Sequence, residues 1–294
     1  MITFLKKGID KSVKTKQISV DSRGVLDSIE LTRVLSGESE YSSKASVERK
    51  HLFSNIKEKQ YYIRFSSKHT QIDNILIDLY SVSPKLGEVA TINQGLISGA
   101  DSFSPSHARN YPNIDAKPGE GIFIHPKGNL EKLGLQKEMI VPLFKNSDID
   151  TWNTNIENNL ELFYSDSTEE PSKIFLEYFK KYKPYLENRT EFKNNNRIWY
   201  GLHRAREKNI FMAEKLVAPQ RNRTNKFAYN NSLFFASADV YFITKHPKYN
   251  FAPYYLLGIL NSKLIYTWLY YRGKRKGDIL ELYFTPLSGI PIKV

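Results

Sequence analysis

Cysteine is absent from the 294 residues, and methionine and tryptophan number only three each. The missing cysteine excludes disulfide scaffolds, thiolate zinc sites and cysteine nucleophiles together, and a cytoplasmic protein is the simplest compartment consistent with it. Long hydrophobic runs are missing too. The N-terminus, M-I-T-F-L-K-K-G, has no apolar stretch long enough for a secretory h-region. One membrane-like stretch, Tyr254 to Tyr271, carries Asn261, Ser262 and Lys263 at its centre. A charge there costs roughly 2.5–3.5 kcal/mol, so the stretch reads as a buried helix of a soluble protein and no membrane partner is expected.

The usual marks of catalysis are also lacking. His51, His69, His107, His125, His203 and His246 never fall at metal-ligand spacing. G-L-I-S-G at 95–99 lacks the lysine and the length of a P-loop, and no G-x-G-x-x-G follows a strand. Asp278 and Glu281 imitate half of a nuclease site, yet no lysine follows at the expected step. No catalytic residue and no metal ligand is assigned, and the chain itself reads as noncatalytic.

Acidic residues are scarce in one region. Residues 172–294 hold 22 Lys and Arg against 8 Asp and Glu, whereas residues 1–171 hold 21 against 23, so the net charge of +12 belongs to the second part. Its densest stretches are R-I-W-Y-G-L-H-R-A-R-E-K at 197–208 and P-Q-R-N-R-T-N-K-F at 219–227. Between 172 and 230 there are 14 basic residues and 5 acidic ones, too few acids to pair with the cluster. Cations neutralise phosphates, arginine can grip guanine with two hydrogen bonds, and Asn or Gln can do the same with adenine. Gln220, Arg221, Asn222 and Arg223 supply both kinds side by side. Trp199 and Tyr200 sit where a strand should begin and read as core anchors.

Periodicity gives the organisation. Residues 2–20 read strand, turn, strand, with period-2 alternation in V-K-T-K-Q-I-S-V. Such a hairpin needs a sheet to join. Residues 21–60 are polar, with S-G-E-S-E-Y-S-S-K at 36–44 expected to be a mobile loop between short helices. Gln60–Phe65 reads as a strand, and Asp73–Tyr80 as a short apolar segment before Pro84. Leu86–Phe103 is a strand entering a turn, where Gly95 and Gly99 supply positive φ or a close backbone approach. Short strands are expected at 121–125, 139–144 and 160–164, and a helix carrying Ile174, Phe175, Tyr178, Phe179 and Tyr182, stopped by Pro184. From Lys215 strands return in K-L-V-A-P, F-A-Y-N, L-F-F-A and D-V-Y-F-I-T, with Asn230 and Asn231 as a hairpin turn. The buried helix follows, then a basic loop R-G-K-R-K-G at 272–277 and a last strand near Ile290. The expected class is α+β: mixed, mainly antiparallel strands with packed helices.

Seven pieces then occur in a telling order: L-G-E-V-A-T-I-N-Q-G-L-I-S-G-A-D-S-F, V-P-L-F-K-N-S-D-I-D-T-W, Y-K-P-Y-L-E-N-R, R-I-W-Y-G-L-H-R-A-R, K-L-V-A-P-Q with D-V-Y-F-I, L-L-G-I-L-N-S-K-L, and G-I-P-I. Together they resemble the TaqI-like specificity domain, the target-recognition region of adenine-N6 DNA methyltransferases and fused type IIG restriction-modification enzymes. The resemblance implies a domain division: 1–20 the tail hairpin of a methyltransferase domain, 21–80 a linker with helical and strand segments, and 81–294 the target-recognition domain. It implies that the chain forms one wall of a DNA cleft, with the methyltransferase domain of the same parent protein as the other wall, double-stranded DNA between them and an adenine flipped for methylation. No N-P-P-Y and no glycine-rich S-adenosylmethionine motif is present, so no cofactor is expected in this chain; S-adenosylmethionine serves the parent, with magnesium if the parent also cleaves.

The residues expected to face DNA are Gln94, Ser98, Arg197, His203, Arg204, Arg206, Lys208, Gln220, Arg221, Asn222, Arg223, Lys226, Lys274, Arg275 and Lys276, with Gly95 and Gly99 as the structural turn. Arg221 and Arg223 are the expected base readers, and Lys274 to Lys276 the phosphate contacts. Asp101 stands where the family commonly has Asn. Two other readings stay open. One is a metal-dependent nuclease or RNA-acting enzyme using Asp239, Asp278 and Glu281; the other is a scaffold subunit of a phage-defence complex.

Overall fold

The computed structural model describes residues 14–20, 25–48, 53–54, 62–63, 70–135, 137–155, 157–166, 172–195, 198–246, 249 and 252–293. The expected first strand of the N-terminal hairpin and Arg197 lie outside them. The chain divides into two compact units, residues 1–83 with 267–273 and 293–294, and residues 84–266 with 274–292.

In the smaller unit, β1 (Lys14–Val20) pairs antiparallel with β2 (Ser42–Glu48), from Lys14↔Glu48 to Val20↔Ser42. Between them lies α1 (Ser28–Ser36), which starts where the Asp27 carboxylate accepts from Glu30 N–H at 2.7 Å and stops at Gly37 with φ 77°. The tract at 36–44, expected as a mobile loop between helices, is instead a helix end, a turn and the start of β2. Gly37 is the reason, because its left-handed conformation ends the helix and turns the chain back toward β1. The short strands β3 (Phe53–Ser54) and β4 (Tyr62–Ile63) also pair antiparallel. Helix α2 (Thr70–Val82) extends beyond the apolar segment at both ends. Within this unit Tyr80 stacks on Trp268, with centroids 6.4 Å apart, and Asp73 pairs with Arg272 at 2.9 Å.

The larger unit is built on two sheets. Strands β5 (Ala90–Gln94), β8 (Trp152–Asn153), β10 (Lys215–Pro219), β12 (Ala228–Asn230) and β14 (Val240–Lys245) form a sheet of order β5-β14-β10-β12-β8, antiparallel except for β12 beside β8. Strands β6 (Ile124–Pro126), β7 (Ile140–Phe144), β9 (Leu160–Phe163) and β13 (Phe235–Ala236) form the second, of order β13-β7-β9-β6. A small antiparallel sheet, order β11-β16-β15, joins β11 (Arg221–Asn222), β15 (Arg275–Lys276) and β16 (Ile279–Glu281). Helices pack among these sheets, and the class is α+β.

Sequence pattern explains the layering. β10 is buried along its whole length and β14 over its first four residues, as expected of near-continuous apolar runs. The helix Lys173–Lys180 turns Phe175 and Phe179 inward, where Phe175 stacks on Phe163 at 4.0 Å and Phe179 lies 5.0 Å from Phe123. Burying each such ring contributes about 1.5–3 kcal/mol. Lys215 is the exception within the apolar strand. Its ammonium donates to the carbonyls of Phe211, Ala213 and Ser232 at 2.9, 2.8 and 2.7 Å, and burial pushes its pKa down to about 8.

Several local expectations need correction. Asn230–Asn231 is not a hairpin turn, since β12 belongs to the first sheet and β13 to the second. The Asn230 side chain makes the crossover, donating to Thr154 Oγ1 at 2.9 Å and accepting from Ser232 N–H at 3.1 Å. The single helix expected over Tyr254–Tyr271 is two, Pro253–Leu260 and Lys263–Arg272. Asn261 divides them by turning its amide onto the Phe227 backbone, accepting from its N–H at 3.0 Å and donating to its carbonyl at 2.9 Å. Pro184 begins the short helix Lys183–Leu186, a position that needs no N–H. The basic loop at 272–277 contains β15, and Gly277 with φ 59° turns it into β16. Near Ile290 the expected strand is an isolated bridge, Lys85↔Pro291.

Candidate nucleic-acid interface

The glycine turn is fixed by what lies behind it. Gly99 has φ 77°, so it supplies the left-handed conformation, but Gly95 does not. A Cβ at Gly95 would sit 2.2 Å from the Ser237 carbonyl oxygen and 2.4 Å from that of Ala236, so this glycine serves close passage of the chain against its own β13–β14 connection. The turn then pairs with the first basic segment: Ile97 and Arg204 exchange both backbone hydrogen bonds at 2.9 Å, and His203 N–H donates to Ser98 C=O at 3.2 Å. Ser98 is buried and its hydroxyl donates to Asp101, whose carboxylate also lies 3.6 Å from Lys145. Asp101 therefore works inside the turn, and Ser98 is a turn-holding residue. An open cleft of about 520 Å³ faces this turn, lined also by Lys145, His107, Tyr185 and Asp239.

A residue outside the expected set binds these pieces together. Arg189 is buried and donates to the carbonyls of Leu186 and Ser98 at 3.2 Å, Trp199 at 2.8 Å and Gly201 at 3.0 Å. It lies in the quoted Y-K-P-Y-L-E-N-R stretch, but nothing in that string tells a buried arginine from a solvated one. Trp199 and Tyr200 pack against the core, with Tyr200 edge-on to Phe175 at 5.7 Å.

Arg206 occupies an unusual place, with φ 70°, which costs a non-glycine residue about 1 kcal/mol or more. Its Nε donates to Gly95 C=O at 3.3 Å, and its own carbonyl accepts from Tyr164 O–H at 2.6 Å. Burial and then the neighbouring Arg204 hold its pKa below the ordinary arginine value, while Tyr241 opposes them. The guanidinium remains charged at neutral pH. Lys208 lies over the Tyr164 ring at 5.2 Å.

Beyond Arg206 a polar strip continues to the small sheet. Gln94 Nε2 and Gln220 Nε2 both reach Ala238 C=O, at 2.9 and 3.5 Å. Tyr241, paired with Gln94 in the sheet, shares a hydrogen bond with the Gln220 side chain, and burial foremost raises its pKa, with the charge of Arg206 opposing. Tyr283 in turn carries the cations of Arg221 and Lys274 over its ring, at 5.6 and 4.9 Å. Both cations pair with the buried carboxylate of Glu281, Arg221 at 3.4 Å and Lys274 at 3.1 Å. Asn222 is folded onto Thr224, and Arg275 donates to Gly277 C=O at 3.0 Å. Arg204, Arg223 and Lys276 are exposed, and none forms a side-chain hydrogen bond or ion pair among the described residues.

The structure thus brings Gln94 and Gln220 together on Ala238 C=O, beside Tyr241, and Arg221 and Lys274 together on Tyr283 and Glu281; Tyr241 and Tyr283 are two residues that sequence reasoning missed. Alternation placed Tyr241 in a strand but could not say what that strand faces. Lys226 stands apart, 3.5 Å from Asp150. Two of the three suspected metal ligands are otherwise engaged: Glu281 holds two cations, and Asp239 accepts from the Ser237 hydroxyl and from Asn146 N–H at 3.4 Å, while Asp278 is exposed. No group of three or more His, Asp or Glu side chains among the described residues is arranged to hold a metal ion. No helix among them is long and apolar enough to cross a membrane.

An α+β framework carrying a cationic strip is the architecture of a domain that recognises nucleic acid. More specifically, the sequence profile of the TaqI-like C-terminal specificity domain matches residues 141–292, and the chain belongs to that family, a family of DNA-recognition domains in restriction-modification proteins. Over 221 residues it is 23% identical to the Type II methyltransferase M.HindII of Haemophilus influenzae, covering 71% of this chain and 38% of that protein. Over 126 residues it is 26% identical to the Type II methyltransferase M.HincII of Haemophilus influenzae, covering 40% of this chain and 25% of that one. The chain thus aligns with less than two fifths of the length of either relative. Among solved structures it is similar to the Type IIL restriction-modification enzyme MmeI in complex with DNA, with a TM-score of 0.48, 9% identity and coverage of 70% of this chain and 25% of that one. It is also similar to the type IIG restriction endonuclease BpuSI, with a TM-score of 0.42, 12% identity and coverage of 90% and 31%.

Proposed function

We propose that this chain is the part of a site-specific adenine-N6 DNA methyltransferase that selects the target sequence, binding double-stranded DNA along the strip from Arg204 to Lys276 while the methyltransferase domain of the parent protein performs the chemistry. The observation that carries the reading is the supply of exposed cations without acid partners, Arg204, Arg223 and Lys276, in a region whose polar side chains are already held in place, Gln94 and Gln220 on Ala238 C=O and Arg221 and Lys274 on Tyr283. Phosphates would meet the cations, and base edges the donors and acceptors between them. In this reading the chain forms one wall of a cleft. S-adenosylmethionine would serve the methyltransferase domain, since this chain contains neither the N-P-P-Y nor the glycine-rich motif that holds it. Magnesium would enter only if the parent also cleaves DNA.

The reading is tested by duplex binding at graded salt with the purified chain. Affinity is expected to fall linearly on a log–log plot as phosphate-bound cations are displaced. Affinity that ignores salt, or the absence of duplex binding, would overturn it.

A further inference from the structure

The three-stranded sheet divides its cations into ranks. In the first rank Arg221 faces Glu281 across β11 and β16, and Glu281 N–H donates to Lys274 C=O at 2.8 Å, so three charged residues lie abreast. Both cations are held by one buried carboxylate and one tyrosine ring. In the second rank Asn222, Leu280 and Arg275 are abreast, with Leu280 fully buried. The third rank pairs Lys276 with Ile279, and Arg223 follows β11 directly, one residue past Asn222, the last paired position of that strand. Here nothing is tied down: Arg223 and Lys276 are exposed and form no side-chain hydrogen bond or ion pair among the described residues, and Ile279 is 40% exposed.

Resting on the DNA-recognition reading above, we propose that this third rank reads sequence: Arg223 contacts a base edge, Ile279 packs against a thymine methyl group, and Lys276 holds an adjacent phosphate. Arg221 and Lys274 are positioning residues that set the angle of the β15–β16 hairpin. The occupant is duplex DNA because this end of the sheet offers two cations without acid partners together with one exposed apolar side chain, and a two-stranded ribbon fits the major groove, where the thymine methyl is displayed. Arginine reaches two acceptors of guanine at once, which gives Arg223 a base to discriminate.

The experiment uses the 294-residue chain and a randomised duplex pool. First the wild-type site is selected; then single thymines in it are replaced by uracil, which removes only the methyl group. The wild type should lose affinity several-fold at one such position, and Ile279→Ala should bind the thymine and uracil duplexes equally. Arg223→Ala should lose on the order of tenfold preference at one base pair, while Lys276→Ala should bind all sequences more weakly without changed preference. Arg221→Lys should keep the selected sequence. If no thymine shows this behaviour, or Arg223→Ala selects the wild-type sequence undiminished while the wild type binds duplex, the third-rank assignment fails and the DNA reading stands. If the wild-type chain selects no duplex at all, the DNA reading itself fails.

Discussion

Two basic segments of similar composition, residues 203–208 and 220–226, are used in opposite ways by the fold. The first is largely fastened: Arg206 reaches Gly95 C=O from a left-handed backbone and Lys208 lies on Tyr164, while Arg204 is bridged to Ile97 by its main chain alone and leaves its guanidinium exposed. The second leads to a thin sheet where one pair of cations is neutralised and the cations at its far end, Arg223 and Lys276, are exposed. The difference teaches that charge density does not tell an architectural cation from an available one. What decides is whether a carbonyl or carboxylate lies within reach, which depends on residues distant in sequence: Gly95 for Arg206 and Glu281 for Arg221.

The contrast can be broken most forcefully at Arg189, which fastens the first segment's side of the molecule through four carbonyls. Arg189→Ala strands those acceptors and should cost about 3–5 kcal/mol in urea unfolding. Gly95→Ala forces a methyl group against backbone oxygens and should cost roughly 1–3 kcal/mol by the same measurement. An unchanged midpoint would show that the turn is not seated as described. Arg206→Gly sharpens the comparison. Relief of the left-handed strain offsets the lost hydrogen bond, so stability should stay within about 1 kcal/mol of wild type while duplex binding weakens. If stability falls and binding holds, Arg206 is architectural alone.

The smallest effect is expected at Glu120, which accepts from Tyr182 O–H at 2.6 Å and pairs with Lys181. Burial would raise its pKa, but the hydrogen bonds from Lys181, Tyr182 and Lys117 N–H, with the Lys181 charge, outweigh it and hold the value near 2. A carboxylate depressed in the folded state adds stability above its unfolded value of 4.5, and loses it as pH falls toward about 2. The difference between wild type and Glu120→Gln should therefore be full at pH 6 and shrink below pH 4.5, followed by urea titration at each pH.

Much of the framework was legible because burial writes itself into the sequence. K-L-V-A-P, D-V-Y-F-I-T and the Ile174–Tyr182 spacing gave strands and a helix where they occur, since each must present apolar side chains at one period. The Asn230 crossover and the Asn261 break were not legible, because each depends on a side-chain amide finding a partner from another part of the chain. In the candidate site, composition located the cations and the glycine turn. It could not foresee that Glu281, suspected as a metal ligand, is the counter-ion of Arg221 and Lys274, or that Tyr283 carries both of those cations over its ring. Those relations are set by strand register between residues some sixty positions apart, which no local pattern records.

The central claim is that the exposed cations of the strip meet DNA phosphates. It is tested most directly by comparing the salt dependence of duplex binding for wild type and for the double variant Arg204→Ala, Lys276→Ala. Each lost phosphate contact flattens the log–log slope by about 0.9, so a slope shallower by about 2 is the predicted result. A slope equal to that of wild type would contradict the assignment.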